Sequence, residues 1–170
     1  MYNHRKSGFT LIELMVVTVI IGVLTAIAII SYHGVRDRAL ASEAYLRCNA
    51  IGKSIQAMGA DTGQWPGHTP IGRSCGDSET YDGGSNEIWN ILTDSRCGLR
   101  ENDPNNPYPN WAGPYLVECP KDPWGNDYFF DADYQIDGET HAVVGSFGPN
   151  GVGPNQYDDD DIYVVISSMN

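Results

Sequence analysis

The sequence lacks the local context that enzyme motifs require. Gly52-Lys53-Ser54 is not preceded by the glycine-rich loop that binds phosphate. The one Gly-x-Ser-x-Gly pentapeptide, Gly72 to Gly76, lies in a stretch rich in Gly, Asp and Ser that predicts a loop and not the strand-turn-helix of a nucleophilic serine. The four histidines, His4, His33, His68 and His141, do not have the spacing of metal ligands. We therefore expect a protein that is not an enzyme, with no catalytic residue and no organic cofactor.

Basic side chains are scarce over most of the chain. The formal net charge is -12, and from Asp61 onward acidic side chains outnumber basic ones by 19 to 4. We expect no nucleic acid partner, because the neutralisation of phosphates requires clustered Lys and Arg. Divalent cations such as calcium suit so many carboxylates better.

Paired cysteine motifs are also missing. Cys48, Cys75, Cys97 and Cys119 are separated by 27, 22 and 22 residues, which argues against a structural zinc site. The spacing is compatible with two disulfides in an oxidising compartment, and free buried thiols are the alternative. Of the three connectivities that four cysteines allow, we favour Cys75 with Cys97 and Cys48 with Cys119.

A long apolar run is present near the N-terminus, from Phe9 to Ile30. Its length matches the roughly 20 residues that a membrane-spanning helix needs. The basic leader before it, with Arg5 and Lys6, favours a cytoplasmic N-terminal end and an exported remainder. Glu13 is anomalous, because an ionised carboxylate inside hydrocarbon costs about 2.5 to 3.5 kcal/mol.

The helical pattern continues beyond this run. Apolar residues recur at steps of three and four, which predicts one helix from about Thr10 to Met58 with an apolar stripe on its second half. The stripe consists of Leu40, Ala44, Cys48, Ile51, Ile55 and Met58. Gly59, followed by Asp61, Gly63 and Pro66, supplies the predicted stop.

The remainder divides into a long loop and a small sheet. The span from Thr62 to Pro120 is rich in Gly, Pro, Asn and Asp, and only Asn86 to Thr93 is predicted as a short helix. Three short β-branched or aromatic runs then predict an antiparallel sheet. They are Tyr128 to Phe130, His141 to Phe147 and Ile162 to Ile166. The expected fold class is α+β, with the long N-terminal helix packed on the small C-terminal sheet.

The segment Gly8-Phe9-Thr10-Leu11-Ile12-Glu13 resembles the prepilin signature of type IV filament subunits. The resemblance implies that a prepilin peptidase cuts between Gly8 and Phe9, and that the new amino terminus is methylated. It also implies that Glu13 meets the amino terminus of Phe9 in a neighbouring subunit, so that the two charges neutralise each other. An ordinary membrane anchor with a tolerated glutamate is the alternative. Ile30 stands where many family members have a proline.

A second set of segments resembles the major pseudopilin of type II secretion. It comprises Trp65-Pro66, Gly113 to Leu116, Pro120 to Tyr128, Ser146 to Gly151 and Asp160-Asp161-Ile162. The resemblance implies a pilin fold with a long αβ loop and a calcium ion in the last loop. The matching ligands are the side chains of Asn150, Asp160 and Asp161, with main-chain oxygens near Phe147. Asn150 stands where an Asp is usual, and a solvated acidic turn is the alternative.

These resemblances imply a structural subunit of a type II secretion pseudopilus, polymerised into a periplasmic fibre that drives export across the outer membrane. The implied partners are further copies of the chain, the prepilin peptidase, minor pseudopilins and an inner-membrane assembly platform. A type IV pilin of a surface filament is one alternative, and a membrane-anchored calcium-dependent binding module is another. The expected location is the inner membrane, crossed once, with the C-terminal domain periplasmic or extracellular.

The expected segments are a leader (1–8), a membrane and filament-core helix (9–30), and an amphipathic second half of the helix (31–60). A long loop region with a short helix (61–122) and a sheet with the acidic calcium loop (123–170) complete the chain.

Overall fold

The computed structural model describes residues 8–71, 95–153 and 158–169. Within them, one helix, α1, runs over Leu11–Thr62. Five strands follow in chain order: β1 (Gln64–Trp65), β2 (Thr69–Pro70), β3 (Tyr128–Ile136), β4 (Glu139–Ser146) and β5 (Ile162–Met169). A short 3-10 helix covers Ser95–Cys97, and the predicted helix from Asn86 to Thr93 lies outside the described residues.

The chain separates into two compact units, Met1–Ala39 and Leu40–Asn170. In the first unit, α1 contains an apolar segment, Leu11–Ala28, with a mean hydropathy of 2.6 and none of it buried. By length and composition this segment is able to cross a membrane. The second unit contains the rest of α1 and all five strands.

The second half of α1 packs on the sheet as the stripe predicts. Ala44, Cys48, Ile51, Ile55 and Met58 are buried, and Leu40 is half-buried. Four of them form one apolar cluster with side chains of β3 and β4. The sheet residues that share this cluster are Tyr128, Phe130, Ala132, Ala142 and Val144.

Two glycines show why α1 ends one turn later than predicted. Gly59 lies inside the helix and does not end it. The position needs a glycine because an added Cβ would lie only 2.9 Å from Cζ3 of Trp65. Gly63 is the true stop, since its φ of 72° is the left-handed conformation that ends many helices. Its N–H donates to the carbonyl of Gly59 at 2.9 Å.

The main sheet has the order β3-β4-β5 and is antiparallel throughout, which confirms the predicted three-stranded sheet. The β3–β4 hairpin closes on Asp137-Gly138, both with positive φ, as a two-residue turn requires. A register shift between Asp131 and Tyr134 interrupts the β3–β4 ladder. The sheet face away from α1 carries a second buried cluster that contains Phe129, Tyr134, Val143 and Phe147.

The hairpin of β1 and β2, which the sequence analysis missed, is held by the loop after residue 95. The hydroxyl of Tyr108 accepts hydrogen bonds from the N–H groups of Gly67 (2.8 Å) and His68 (3.1 Å) and donates to the carbonyl of Arg96 (2.7 Å). The rings of His68 and Tyr108 stack with centroids 3.8 Å apart. The His68 ring also lies close to a carboxylate, because its Nε2 is 3.4 Å from Oδ2 of buried Asp103.

The predicted Cys48–Cys119 disulfide is wrong, because both residues are free thiols in the structure. Cys48 serves as a small core residue between α1 and the sheet, with its Sγ 3.8 Å from the carbonyl of Ile162. Burial raises the pKa of the Cys48 thiol to about 12 and that of Cys119 to about 11. The predicted Cys75–Cys97 pair lies outside the described residues, because Cys75 is not among them.

Candidate functional site

The predicted processing site precedes the first turn of α1. Gly8 and Phe9 are exposed and non-helical, and the Phe9 side chain is 84% exposed. A Cβ added to Gly8 would have no neighbour within 4 Å. Among the residues that the structure describes, none covers the Gly8–Phe9 peptide bond, so a second protein can reach it.

Glu13 forms a capping box with Thr10 at the start of α1. Its Oε2 accepts hydrogen bonds from the Thr10 N–H (2.8 Å) and the Thr10 hydroxyl (2.7 Å), while its own N–H donates to that hydroxyl (3.3 Å). This reciprocal arrangement satisfies backbone donors that a helix start leaves unpaired. The capping box was not predicted from the sequence, although Thr-x-x-Glu before an apolar run is the signal for it. In the single chain, the Glu13 carboxylate already has a partner in its own helix.

The acidic loop connects β4 to β5. Gly148 has a φ of 62°, and an added Cβ there would lie only 2.2 Å from the carbonyl oxygen of Asp160. The loop therefore needs glycine at this position to bring its two ends together. The Phe147 carbonyl accepts a hydrogen bond from the Gly151 N–H at 3.2 Å, so this predicted main-chain ligand is part of a turn.

Asn150 bridges two carboxylates of the loop. Its Nδ2 donates to Oδ2 of Asp158 at 2.8 Å and to Oδ1 of Asp160 at 2.6 Å. Its Oδ1 accepts from the Val152 N–H at 2.7 Å, which holds the amide in this orientation. The structure thus brings the predicted Asn150 and Asp160 together and adds Asp158, which the sequence analysis had not chosen as a ligand.

Only one oxygen of the Asp161 carboxylate is paired among the residues that the structure describes. Its Oδ2 accepts from the Asp158 N–H at 3.3 Å, whereas its Oδ1 is buried and has no hydrogen-bond partner in those ranges. Burial raises the pKa of Asp161 to about 6, and the negative charges of Asp158 and Asp160 add to this rise. The hydrogen bond from the Asp158 N–H lowers the pKa but does not offset the other two effects. A cation beside these oxygens would remove both the burial cost and the repulsion.

The turn at Asp122 braces the loop from the other side. Asp122 is buried, and its Oδ1 accepts from the N–H groups of Trp124 (3.0 Å) and Asn126 (2.7 Å). Its Oδ2 accepts from the Ser146 hydroxyl at 2.7 Å, at the end of β4. Asn126 then donates from Nδ2 to the Gly148 carbonyl at 3.1 Å. These hydrogen bonds hold the Pro120 to Tyr128 segment against the start of the acidic loop.

The donor chemistry of the loop fits calcium, which takes six to eight oxygen ligands. Carboxylates of Asp158, Asp160 and Asp161 lie in one hydrogen-bonded network, and one of their oxygens is buried without a partner among the described residues. Within the described ranges, however, no group of three or more His, Cys, Asp or Glu side chains has the arrangement of a metal site. The loop therefore holds suitable oxygens that are not yet gathered around one point.

Comparisons with known proteins give matches at both ends of the chain. Residues 3–29 match the family model of the prokaryotic N-terminal methylation motif. Residues 97–165 match the model of type II secretion system protein G. The first match contains Gly8, Phe9 and Glu13, and the second contains most of the sheet and the acidic loop.

Relatives fall into two groups. Type II secretion system core protein G of Vibrio cholerae is 28% identical over 155 residues, covering 88% of this chain and 89% of the relative. The fimbrial protein of Neisseria meningitidis is 39% identical over 66 residues, covering 39% of each chain. The crystal structure of the major pseudopilin from the type 2 secretion system of enterohaemorrhagic Escherichia coli has a TM-score of 0.50 at 22% identity, covering 76% of this chain and 86% of that one.

The fold and the methylation motif together define a pilin-like protein, with a long N-terminal helix on a small antiparallel sheet. Within that class the chain is similar to the major pseudopilin of type II secretion, through the protein G match over residues 97–165 and the relative that is 28% identical over 88% of the chain. The relatives are structural proteins by name, in keeping with the expectation that this chain is not an enzyme.

Proposed function

We propose that the chain is the major structural subunit of a type II secretion pseudopilus. It is made as a prepilin, cut between Gly8 and Phe9 by prepilin peptidase, and N-methylated on Phe9. It is held in the inner membrane with its C-terminal domain in the periplasm. Minor pseudopilins and an inner-membrane assembly platform then help it to polymerise into the fibre that drives export across the outer membrane.

The observation that carries this proposal is the exposure of Leu11–Ala28. An 18-residue apolar helical segment with nothing buried requires lipid or other apolar chains around it. A bilayer meets that need before assembly, and the same segment of neighbouring copies meets it in a fibre. Contacts between copies that do not close on themselves generate a filament.

The test is replacement of Glu13 by Ala in the full chain, with Glu43→Ala as the matched control. Glu43 is an exposed carboxylate on the same helix, paired with Arg47 at 2.8 Å. We expect Glu13→Ala to abolish fibres seen by electron microscopy but to leave the chain in the membrane fraction. Glu43→Ala should form fibres. Normal fibres from Glu13→Ala would show that Glu13 does not pair with Phe9 between subunits.

Processing is tested separately by mass spectrometry of the mature chain. We expect the N-terminal peptide to begin at Phe9 with one added methyl group, and Gly8→Val to leave the leader in place. A mature chain that begins elsewhere would contradict the proposed cleavage.

We further propose that the acidic loop binds calcium through Asn150, Asp160 and Asp161, with Asp158 as an additional ligand and a main-chain oxygen near Phe147. The buried Oδ1 of Asp161, which has no hydrogen-bond partner in the described part of the chain, supports this proposal. Calcium should raise the melting temperature of the full chain in detergent, and Asp161→Asn should remove the increase. Asp159→Asn is the control, because Asp159 is exposed in the same run. An unchanged melting temperature in calcium and in chelator would contradict the proposal.

A type IV pilin of a surface filament is the second candidate. The 39% identity to the Neisseria fimbrial protein exceeds the identity to the protein G relatives, although it covers a much shorter stretch. Deletion of the gene distinguishes the two: loss of protein export supports the pseudopilus, and loss of surface filaments with normal export supports the pilin. If neither changes and calcium-dependent binding of a ligand is lost, a membrane-anchored binding module is the better description.

A further inference from the structure

Two arginines follow the apolar segment within the first unit. Arg36 and Arg38 lie 8 and 10 residues after Ala28, and both are exposed. In the part of the chain that the structure describes, neither forms an ion pair. In the proposed topology they lie on the exported flank, where positive charges are less common than on the cytoplasmic side. Their presence there needs a separate physical reason.

Their distance from the apolar segment suits the bilayer surface. At 1.5 Å per residue, Arg36 and Arg38 lie about 12 and 15 Å beyond Ala28 along the helix axis. Headgroup layers add roughly 5 to 8 Å to each side of the hydrocarbon. Helical side chains lean toward the helix N-terminus, and long arginine side chains extend toward an interface, so both guanidinium groups are able to reach back to this layer.

Their directions around the helix distinguish a membrane from a protein partner. Successive residues turn by about 100°, so Arg36 and Arg38 lie roughly 200° apart around the axis. A protein that packs along one side of the helix contacts only one of them. A surface that crosses the helix axis, such as a plane of headgroups, is reached by both.

Tyr32 gives a second marker of the same surface. It is 67% exposed and lies four residues after Ala28, about 6 Å along the axis. Tyrosine is enriched at this depth, because its ring is apolar and its hydroxyl is polar. Along the helix, the apolar segment in the hydrocarbon is thus followed by Tyr32 at the interface, and then by Arg36 and Arg38 at the level of the headgroup phosphates.

We propose that Arg36 and Arg38 bind the phosphates of anionic phospholipid headgroups and thereby set the depth of the anchor on its exported side. This inference rests on the proposed membrane insertion. Each guanidinium can form paired hydrogen bonds with phosphate oxygens. A subunit that leaves the bilayer has to break both contacts, so the arginines also retain unassembled subunits.

The experiment uses the full chain in vesicles of phosphatidylglycerol or phosphatidylcholine and measures amide hydrogen exchange over residues 32–38. We expect exchange to be about fivefold slower in phosphatidylglycerol for each arginine present. Arg36→Gln and Arg38→Gln should each remove part of this difference, and the double variant should remove all of it. Lys53→Gln is the matched control, because Lys53 is an exposed cation further along the same helix.

Flotation of the vesicles and variation of the protein-to-lipid ratio separate the outcomes. A chain that does not float with vesicles overturns both the insertion and the headgroup proposal. A chain that floats but exchanges equally in both lipids, or a double variant that keeps the difference, overturns the headgroup proposal alone. Protection that follows the protein-to-lipid ratio and ignores lipid charge assigns the arginines to a second copy of the chain and overturns it as well.

Discussion

The two halves of α1 both carry apolar side chains, but these side chains have opposite surroundings. Leu11–Ala28 is exposed throughout, whereas the stripe from Ala44 to Met58 is buried on the sheet of its own chain. The second half is therefore stabilised by folding, and the first half depends on lipid or on other copies. One continuous helix thus contains a segment that packs on its own chain and a segment that needs lipid or another chain around it.

The largest expected difference between the halves comes from two isoleucines of α1. Ile55 is fully buried and Ile21 is 57% exposed. Ile55→Ala should lower the free energy of unfolding of the C-terminal unit by about 2 to 5 kcal/mol, because it removes buried methyl groups and leaves a cavity. Ile21→Ala should leave that free energy unchanged. Urea unfolding followed by near-ultraviolet circular dichroism measures both, and equal effects would remove the distinction between the halves.

The next effect concerns Asp103, which is buried against the β1–β2 hairpin. Burial raises the pKa of Asp103, but hydrogen bonds from the N–H groups of Asn105 and Asn106 and from His68 outweigh it, so the net pKa is lowered. A carboxyl whose pKa is lower in the folded state stabilises the protein above its unfolded pKa of about 3.9, and loses this effect as pH falls through the folded value.

Asp103→Asn should therefore cost about 1 to 3 kcal/mol at neutral pH. It should also flatten the loss of stability below about pH 4. Glu101→Gln, at an exposed position in the same loop, is the control. Unfolding measured between pH 2 and pH 7 checks both parts, and an unchanged acid limb in Asp103→Asn would contradict this assignment.

A smaller effect is expected at the start of α1. Thr10→Val removes the hydroxyl of the capping box and should destabilise the first turn by about 1 kcal/mol, whereas Thr10→Ser should retain it. Faster amide exchange confined to Leu11–Leu14 would show this effect, with no change in the melting of the C-terminal unit. Thr18→Val is the control, because Thr18 lies in the helix interior. Equal exchange in Thr10→Val and the unchanged chain would show that the capping box contributes nothing.

The smallest effect is chemical and leaves stability unchanged. Because the thiolate is the reactive form, a Cys48 pKa of about 12 should make alkylation by iodoacetamide very slow at pH 8 in the folded chain. Cys48 should react readily once urea unfolds the domain. Rapid labelling of folded Cys48 would mean that the core between α1 and the sheet opens easily.

Patterns with a fixed period were the most predictable part of this fold. The 3.6-residue stripe identified the buried face of α1, and three β-branched runs identified β3 to β5. The hairpin of β1 and β2 was missed, because two-residue strands carry no periodic signal and depend on the distant Tyr108 hydroxyl. The end of α1 was misplaced, because Gly59 is required by the packing of Trp65 and does not end the helix.

The candidate site was predictable only as a set of residue types. The sequence indicated an acidic loop, but Asp158 joins it through Asn150, and Asn126 supports it from a turn more than twenty residues away. Such long-range hydrogen bonds leave no local pattern. The Cys48–Cys119 pairing failed for a related reason, because spacing does not reveal that Cys48 lies in an apolar core.

The amide of Asn150 has a consequence for how the acidic loop would respond to ions. Because the Asn150 amide nitrogen already donates hydrogen bonds to Asp158 and Asp160, a cation would have to compete with it for the same carboxylate oxygens. In the proposed calcium-bound loop, the amide nitrogen of Asn150 would give up these two carboxylates while its oxygen turned to the cation. The apparent affinity for calcium would then include the free energy of breaking both hydrogen bonds.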